Sequence, residues 1–579
     1  MPNMIQNAKD SISQILNDAY QKAAEKGELP AGAALSGTVE IPKDSANGDF
    51  AANHAMAGAK ALHMAPRKIA ETLIANADLA DTWFASVELA GPGFINFRLA
   101  DRWYADVLKA VTEEGADYGR SDIGHGQKVM VEFVSANPTG PMHMGNARGG
   151  VLGDALASVL DRAGYQVWRE FYVNDAGNQI EKFANSIDAR YQQLLLGEEQ
   201  VAFPEDGYHG DDIKDLARLF YEANGDKYLT VPVTERHQAM AEFGLQRNIP
   251  KMQEDLRRYG IEYDQWFFES ELHESGYVAE SVQKLTDRGY TYEKDGALWL
   301  KTSQILTEQL LKSGKKQEEI DKLELKDDVL RRANGFYTYF AADIAYHRNK
   351  LEKRGFDKAI NVWGADHHGH VARLKGAMDA LGLDGEHRLD IVLMQLVKLT
   401  RNGEVVRMSK RTGKAISLTD LLDEIPVDAA RYFFNSRPES PVEFDLELAI
   451  RQDSENPVYY VQYAHARICT LLAALAAEGH TVPANADAAL LSTPEEKELI
   501  KQLAALPEEI RLAARDYDPS RINRYVTELA ARFHRFYTVC RIKGAESDVQ
   551  AARLLLADCV RRVIAVSLGI IGVTAPEKM

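Results

Sequence analysis

The sequence predicts an α/β protein: a doubly wound parallel sheet with an insertion, a small N-terminal α+β domain before it and a C-terminal all-α helical bundle after it. Three observations lead to this prediction. A strand–helix–strand pattern occupies residues 128–173, a charged and mostly helical stretch follows it, and Ala- and Leu-rich helices fill the end of the chain. Alternating strands and helices are typical of parallel sheets, whereas helices alone are typical of bundles. A chain of 579 residues can hold several such units.

Residues 1–115 form the first predicted unit. Residues 11–26 carry apolar side chains at helical spacing, and Pro66 is suited to the first turn of a second helix. Residues 94–99 alternate apolar and polar side chains as a half-buried strand does. The mixture of helix and strand predicts a small α+β domain.

Residues 116–425 are predicted to form a Rossmann-type core. A β-rich run at 128–134 is followed by a turn, a helix over 145–163 and a second strand at 167–173. Such a βαβ unit starts a doubly wound sheet, in which ligands bind beyond the carboxyl ends of the strands. The charged stretch around 185–330 is interpreted as a mostly helical insertion in this core.

The chain is predicted to return to the core at residues 337–347, a strand leading into a helix. Further strands are predicted at 359–363 and 389–393. Residues 426–579 then change character, and they predict an all-α bundle. Its apolar helical segments lie at 468–477, 494–515, 520–540 and 549–571.

Charge and cysteine usage limit the classes of function. The net charge of −18, from 68 basic and 86 acidic residues, argues against a general nucleic-acid coat, which would be basic. It still allows a local basic strip that holds phosphates. The three cysteines have neither a disulfide-framework spacing nor a zinc-ligand spacing. With no apolar run of 18 residues and no signal-peptide pattern, the sequence predicts a cytoplasmic protein without a membrane span.

A histidine and a glycine stand where the first core strand has ended and its helix begins, at His143-Met144-Gly145-Asn146. The N-terminus of a helix favours anions, and Gly145 would let a phosphate or an adenine ring approach the backbone closely. His143 could donate a hydrogen bond to a phosphate oxygen on which charge develops. Taken alone, the pattern favours a turn with an incidental histidine.

A basic loop is predicted much later, after another strand, at residues 406–414. Lys410 within it could neutralise the phosphates of a leaving pyrophosphate. A run of charges is more often a solvated loop. The presence of His143 on the same predicted sheet makes that simpler interpretation the weaker one.

The two motifs together resemble the signatures of the class I aminoacyl-tRNA synthetases. Residues 143–146 are similar to the family's His-Ile-Gly-His, and residues 407–411, Arg-Met-Ser-Lys-Arg, to its Lys-Met-Ser-Lys-Ser. Asn146 replaces the second histidine, so this position can donate a hydrogen bond but cannot carry a charge. The resemblance implies His143, Asn146 and Lys410 as catalytic residues. It implies ATP contacts for His143, Gly145, Asn146, Gly364, Asp366, His367, Met408, Ser409 and Lys410.

Further segments are similar to the arginyl-tRNA synthetase family, and this resemblance covers essentially the whole chain. It implies that arginine and ATP form arginyl-adenylate and pyrophosphate, and that the terminal ribose of tRNA(Arg) then takes the arginyl group. Such catalysis depends on positioning and charge stabilisation. The matching segments are residues 135–141, 172–179, 339–347, 363–370, 456–467 and 575–579.

The resemblance also implies an arginine site. A guanidinium is a planar fork of donors that needs carboxylates, and Asp343, with Tyr339 beside it, matches the family carboxylate. Glu132, Ser135 and Asn137 match positions around the amino acid, and we expect Glu132 and Asn137 to hold its charged ends. Taken alone, Asp343 would equally be a surface carboxylate and Tyr339 a core aromatic residue. A site of this kind rejects analogues without editing, so no editing domain is expected.

Asp366 and His367 resemble the class I position that meets the ATP ribose. The neighbouring His368 and His370 also suggest zinc, but adjacent histidines on one short turn rarely converge on a metal, and no cysteine lies nearby. We expect Mg²⁺ to arrive with ATP, and no structural metal.

By the same resemblance, the C-terminal unit binds the anticodon and the N-terminal unit meets the corner of the tRNA. Tyr459, Tyr463, His465 and Arg467 are the candidates for stacking and phosphate contacts. Asn53 matches a motif of the family's N-terminal domain. Packing within the domain is the alternative for the first group, and it explains Tyr459 nearly as well. We also expect a monomer in which arginine activation requires bound tRNA.

Two other functions remain open. A catalytically inactive tRNA-binding paralogue would keep these domains, although His143 and Lys410 are both present. A small-molecule nucleotidyltransferase shares the His-x-Gly motif, but it is usually a short single domain and leaves the C-terminal helices unexplained. A cysteinyl-tRNA synthetase is excluded because the zinc-ligand cysteines are missing.

Overall fold

The computed structural model describes residues 3–395, 397–406, 416–436 and 442–579. The predicted fold class is confirmed: a parallel sheet forms the central domain, with an α+β domain before it and helices after it. Within the described ranges, no helix combines the length and the apolarity that crossing a bilayer requires.

The N-terminal domain joins a four-stranded antiparallel sheet to helices. Its elements are α1 (Met4–Glu25), β1 (Val39–Glu40), β2 (Phe50–Ala52), α2 (His54–Leu62), α3 (Pro66–Asn76), β3 (Phe84–Ala90), β4 (Phe94–Leu99) and α4 (Asp101–Glu114). The strand order is β1-β2-β4-β3. Helix α1 begins earlier than predicted because the side chain of Asn3 accepts a hydrogen bond from the Gln6 amide at 3.0 Å and caps it.

The central domain begins with the predicted βαβ unit: β5 (Lys128–Glu132), α5 (Met144–Arg162) and β6 (Gln166–Val173). The chain then crosses a mainly helical stretch. Its elements are α6 (Asn178–Leu196), α7 (Asp211–Asn224), α8 (Val233–Arg258), β7 (Gln265–Phe268), α9 (Glu269–Glu274), α10 (Tyr277–Asp287), β8 (Thr291–Lys294), β9 (Ala297–Leu300), α11 (Thr302–Lys312), α12 (Gln317–Asp321) and β10 (Asp328–Arg331).

The predicted insertion around residues 185–330 needs one correction. Strand β7 lies inside that range, yet it pairs in parallel with β6 and belongs to the core sheet. Four residues between charged helices are too few to show strand periodicity in the sequence. Strands β8 and β9 form a hairpin, since they pair antiparallel across Asp295 and Gly296, and both of these residues have positive φ.

The remaining core elements return the chain to the sheet. They are α13 (Tyr339–Arg348), β11 (Lys358–Gly364), α14 (His368–Ala380), α15 (Gly385–Arg388), β12 (Leu389–Met394), β13 (Val397–Arg401), β14 (Glu404–Val405), α16 (Leu418–Glu424), α17 (Val427–Asn435), β15 (Val442–Asp445) and α18 (Leu446–Ile450). A π-helical turn, Asn349–Lys353, extends α13. Before α13, Tyr337 forms only an isolated bridge with Arg331, not the predicted strand.

The core sheet has five parallel strands in the order β12-β11-β5-β6-β7. The chain runs from β5 outward through β6 to one edge, and it later returns to the other side of β5 with β11. Ligands bind at such a switch point, outside the carboxyl ends of the strands. Glu132 at the end of β5 pairs in register with Asn361 of β11, so both strands contribute residues to this position.

The C-terminal domain is the predicted bundle, formed by α19 (Pro457–Ala477), α20 (Pro494–Asp516), α21 (Ser520–Val539) and α22 (Ser547–Ile570). The fully buried Arg431 of α17 joins the bundle to the core. Its guanidinium donates to the Asp154 carboxylate of α5 at 2.5 Å and to the Ile571 carbonyl, just beyond α22, at 3.1 Å. Removing this buried cation would therefore leave polar groups of both domains unpaired.

Candidate functional site

His143 caps the helix that leaves the centre of the sheet. Its backbone is extended, and α5 begins at the next residue. The side-chain oxygen of Asn146 accepts a hydrogen bond from the His143 amide at 3.0 Å. His143 and Gly145 are exposed and Asn146 is half-buried. The asparagine that replaces the expected second histidine thus fixes the start of the helix, while the His143 side chain faces solvent.

The chain that follows the basic motif lies against the same helix start. His143 forms a backbone bridge with Ser417, and the amide of Leu418 donates to the Met142 carbonyl at 2.8 Å. Described backbone thus joins Ser417 and Leu418, which follow the basic motif in sequence, to the residues at the start of α5. The predicted ATP-contacting residues Met408, Ser409 and Lys410 lie outside the described residues.

The predicted ribose-binding residues follow β11 directly. Gly364 ends this strand, and the backbone of Asp366 and His367 forms a short 3-10 turn that leads into α14. The ring of His367 lies 5.9 Å from that of Trp363. Because β11 is next to β5 in a parallel sheet, this turn and the Glu132 end of β5 open on the same edge.

Glu132 is a buried carboxylate, 5% exposed, and both of its oxygens have partners. The ammonium of Lys350, which is fully buried, donates to one oxygen at 2.5 Å. The Ser135 hydroxyl donates to the other at 2.9 Å. A carboxylate in such a place needs a paired cation, because its charge is otherwise poorly solvated. Lys350, which supplies this cation, was not among the residues predicted from the sequence.

A buried polar cluster continues from Lys350 to α13. Its ammonium also donates to the side-chain oxygen of Asn361 at 3.1 Å, and the Asn361 amide donates to Nε2 of His347 at 2.7 Å. The other ring nitrogen of His347 therefore carries the proton and donates to the Asp343 carbonyl at 2.8 Å. Burial, and next the charge of Lys350, hold the pKa of His347 well below its usual value.

Tyr339 and Asp343 lie one turn apart on the same face of α13. Tyr339 is 40% exposed, and it borders a cavity of about 430 Å³ beside the carboxyl ends of β6 and β7. The Asp343 carboxylate is half-buried and contacts Nε2 of His370 at 3.1 Å. Other residues around the cavity are Gly177, Glu181, Glu269, His273 and Arg332.

Glu269 is a site residue that the sequence analysis missed. It directly follows β7, is 3% exposed, and contacts Nε2 of His273 at 3.2 Å. An acidic residue directly after a core strand is the signal that would predict Glu269. The signal is hidden because β7 has only four residues and is not recognised as a core strand in the sequence.

The charges of three carboxylates act on the buried Tyr172 at the end of β6. Burial is the main cause that raises the pKa of Tyr172 well above its usual value, and the charges of Glu269, Asp343 and Glu132 raise it further. These residues come from three separate segments of the chain. The end of β6 therefore lies in the electrostatic field of Glu132, Asp343 and Glu269.

Asn137 and Asn53 have local partners. The Asn137 amide donates to the side-chain oxygen of Gln179 at 2.5 Å, which links the loop after β5 to α6. Asn53 bonds twice to Thr38, accepting from its amide at 2.7 Å and donating to its hydroxyl at 2.9 Å. Among the described residues, no three histidine, cysteine or acidic side chains are grouped as a metal site would require.

A row of aromatic side chains lies on one face of the C-terminal bundle. The rings of Tyr459 and Tyr463 on α19 are stacked at 6.1 Å, and Tyr463 is stacked on His534 of α21 at 6.2 Å. The guanidinium of Arg467 lies 4.2 Å above the ring of Tyr537. We call these five residues the aromatic row. His534 and Tyr537 were not predicted, because they come from another helix.

His465 does not belong to the aromatic row, and its predicted contact with tRNA is contradicted by its position. It is 3% exposed, and its ring bonds to the Pro576 carbonyl at 2.9 Å. The residue holds the C-terminal segment against α19. Its position in the helix between Tyr463 and Arg467 is what made it resemble a surface residue in the sequence.

Comparison with protein families defines the class. The model of the class I tRNA synthetase (R) catalytic domain matches residues 107–442. The model of the arginyl-tRNA synthetase N-terminal domain matches residues 6–99, and that of the DALR anticodon-binding domain matches residues 461–579. The parallel sheet and its switch-point site are thus those of a class I aminoacyl-tRNA synthetase.

Individual relatives define the family. The arginine–tRNA ligases of Caldanaerobacter subterraneus and Acetivibrio thermocellus are 54% and 52% identical to this chain over the full length of both proteins. A solved structure of a putative arginyl-tRNA synthetase from Campylobacter jejuni superposes with a TM-score of 0.73 at 33% identity, covering 83% of this chain and 100% of that one. The arginyl-tRNA synthetase of Thermus thermophilus, 21% identical and covering 99% and 100%, shares the fold with a TM-score of 0.73.

The chain belongs to the arginyl-tRNA synthetase family. It is an ATP-dependent ligase that joins arginine to tRNA(Arg), as the motifs predicted. Its substrates are arginine, ATP and tRNA. The comparisons give no support to the inactive paralogue.

Proposed function

We propose that arginine binds with its guanidinium between Asp343 and Glu269 and with its amino acid end toward Glu132. The observation that carries the proposal is that Glu269 and Tyr339 line one cavity, with Asp343 one turn from Tyr339 on the same face of α13. Lys350 balances the charge of Glu132, so the site as a whole keeps an excess of negative charge. A guanidinium needs carboxylates held in a fixed arrangement, and a substrate with two cationic groups suits this balance.

Tyr339 forms one wall of this arginine site and Ser135 orients Glu132. The ring of Tyr339 would lie 3.4 Å from a side chain at Gly177, which has a positive φ of 76°. Any larger residue at this glycine would be strained and would narrow the cavity. Asn137 lies in the loop between β5 and α5, where its side-chain amide can meet the charged end of the amino acid.

ATP binds along the edge formed by the β5 and β11 ends, with its phosphates at the start of α5. His143 and Asn146, together with Lys410, stabilise the charge that develops as pyrophosphate leaves. Gly145, Gly364, Met408 and Ser409 line the nucleotide, and Asp366 and His367 meet its ribose. Mg²⁺ enters bound to the ATP phosphates, whose oxygens are ligands that this ion prefers.

Segments 1–115 and 426–579 bind tRNA, and segment 116–425 carries the catalytic site. Bases of the anticodon loop stack on the aromatic row, since unstacked RNA bases bind aromatic and guanidinium planes. The N-terminal domain, through the region of Asn53, contacts the corner of the tRNA. The enzyme acts as a cytoplasmic monomer, and bound tRNA is required before arginine is activated.

Arginine-dependent exchange of labelled pyrophosphate into ATP tests the arginine site, measured with and without tRNA(Arg). Asp343→Asn and Glu269→Gln should each raise the KM for arginine at least about 30-fold, because losing one partner of a close charge pair costs ~2 kcal/mol or more. Asp287→Asn, on the surface of α10, is the matched control. A KM within threefold of the parent for both site variants would refute the arginine site.

The same assay tests the tRNA requirement. If arginine supports exchange only in the presence of tRNA, activation requires tRNA. If exchange also occurs without tRNA, the requirement is refuted and the ligase activity is unaffected. Citrulline and lysine serve as substrate controls, since a site built for a guanidinium leaves buried polar groups unpaired with either of them.

A further inference from the structure

A chain of four polar side chains runs from the arginine site to β10. His370 on α14 contacts the Asp343 carboxylate through Nε2 at 3.1 Å. The guanidinium of Arg373, one turn further on, lies 3.1 Å from Nδ1 of the same ring. Arg373 also donates to the Asp328 carboxylate at 2.6 Å. The charges therefore alternate from Asp328 through Arg373 to Asp343, with an imidazole between the last two.

The direction of these hydrogen bonds determines the tautomer of His370. A guanidinium has donors only and keeps its proton throughout the range in which proteins are stable, so Nδ1 must accept. The ring proton is then on Nε2, where it is donated to Asp343. A doubly protonated ring could not accept from Arg373, so this contact favours the neutral imidazole.

The other groups that face His370 do not donate a hydrogen bond to Nδ1 as Arg373 does. From α13, Phe340 offers an aromatic ring at 5.2 Å and His347 is a neutral imidazole with a lowered pKa. From β11, the ring of Trp363 lies at 5.7 Å. Among the described residues, Asp343 and Arg373 are the two charged groups in hydrogen-bond contact with this ring.

We propose that Arg373 holds His370 in its neutral Nε2–H form, so that Asp343 keeps its full negative charge for the guanidinium of arginine. This inference rests on the proposed arginine site. Arg373 and His370 act on the substrate through Asp343 and are positioning residues. Arg373 prevents His370 from becoming an imidazolium. An imidazolium at this position would compete with the substrate for the Asp343 carboxylate.

Arg373→Met removes the donor and leaves the rest of α14 in place. Nδ1 is then free to take a proton, and the neighbouring Asp343 favours the charged ring because an opposite charge within hydrogen-bond distance raises the pKa of a histidine. As the pH falls from 8 to 6, the imidazolium forms and neutralises Asp343. The KM for arginine of Arg373→Met should therefore rise about tenfold over this range relative to the parent enzyme, a change that corresponds to about 1.4 kcal/mol.

Two further variants separate this effect from a general loss of structure. Lys375→Met removes a cation from the same helix, where Lys375 contacts Glu386 and Asp390 instead of His370, and should leave the pH profile unchanged. His370→Gln combined with Arg373→Met places an amide donor beside Asp343 that cannot be protonated. This double variant should lose the pH dependence of the KM even if its kcat is lower.

The tautomer itself can be measured on the full-length protein by nitrogen-15 NMR of labelled histidine, with His370→Gln identifying the signal. At pH 7 the parent should show a neutral Nε2–H ring and Arg373→Met a charged one. A charged His370 in the parent at pH 7, or a pH dependence that survives in the double variant, would overturn the proposal. An arginine KM unaffected by Asp343→Asn would instead fault the arginine site, while the NMR measurement would still test the tautomer.

Discussion

Replacement of Lys350 by methionine probes the pair at the centre of the site. The lysine is fully buried, its partner Glu132 is 5% exposed, and the ammonium also donates to Asn361. Methionine fills most of the same space without a charge. The substitution would leave the Glu132 carboxylate buried with only the Ser135 hydroxyl as a partner.

The size of the effect follows from that burial. Removing one partner of a buried ion pair costs about 3–5 kcal/mol, because the remaining charge is neither solvated nor paired. For a domain of several hundred residues, each kcal/mol lowers the unfolding midpoint by roughly 2 °C, so the midpoint should fall by about 6–10 °C.

Thermal unfolding followed by tryptophan fluorescence measures this loss, since Trp168 and Trp363 lie on strands of the same sheet. The double variant Lys350→Met/Glu132→Gln removes both charges and should recover most of the stability. An unfolding midpoint within 2 °C of the parent for Lys350→Met, or a double variant no more stable than the single one, would refute the reasoning.

Three further predictions concern single side chains. His143→Ala should slow pyrophosphate exchange by about 10²–10³-fold, the effect of losing one transition-state donor, and a loss of only a few-fold would contradict its role. Tyr463→Ala should weaken tRNA binding by ~1–3 kcal/mol in a filter-binding assay, as expected for one stacked base, whereas Tyr221→Ala, equally exposed on α7, should not. Burial raises the pKa of Cys559 to about 12, so iodoacetamide at pH 8 should modify it only after unfolding; labelling of the native protein at the rate of the half-buried Cys469 would disprove this.

The elements that sequence reasoning predicted well are those defined by neighbouring residues. The helix at the switch point is an example, because a glycine-containing turn between a strand and an apolar face is a local pattern. The placement of Tyr339 beside Asp343 is another, since residues spaced four apart on a helix lie on the same face. The family motifs added the identity of the substrate, which neither composition nor a net charge of −18 suggested.

The tertiary structure alone decided how these local pieces are paired. Glu132 and Lys350 are 218 positions apart, and no spacing rule relates two such residues. Strand β7 became part of the core only by pairing with β6, and with it Glu269 joined the site. His465 resembled a surface residue by position, yet the end of the chain folds over it. Local geometry follows directly from neighbouring residues. Pairs of residues distant in sequence depend on the packed fold, because a buried charge is stable only where the fold places an opposite charge beside it.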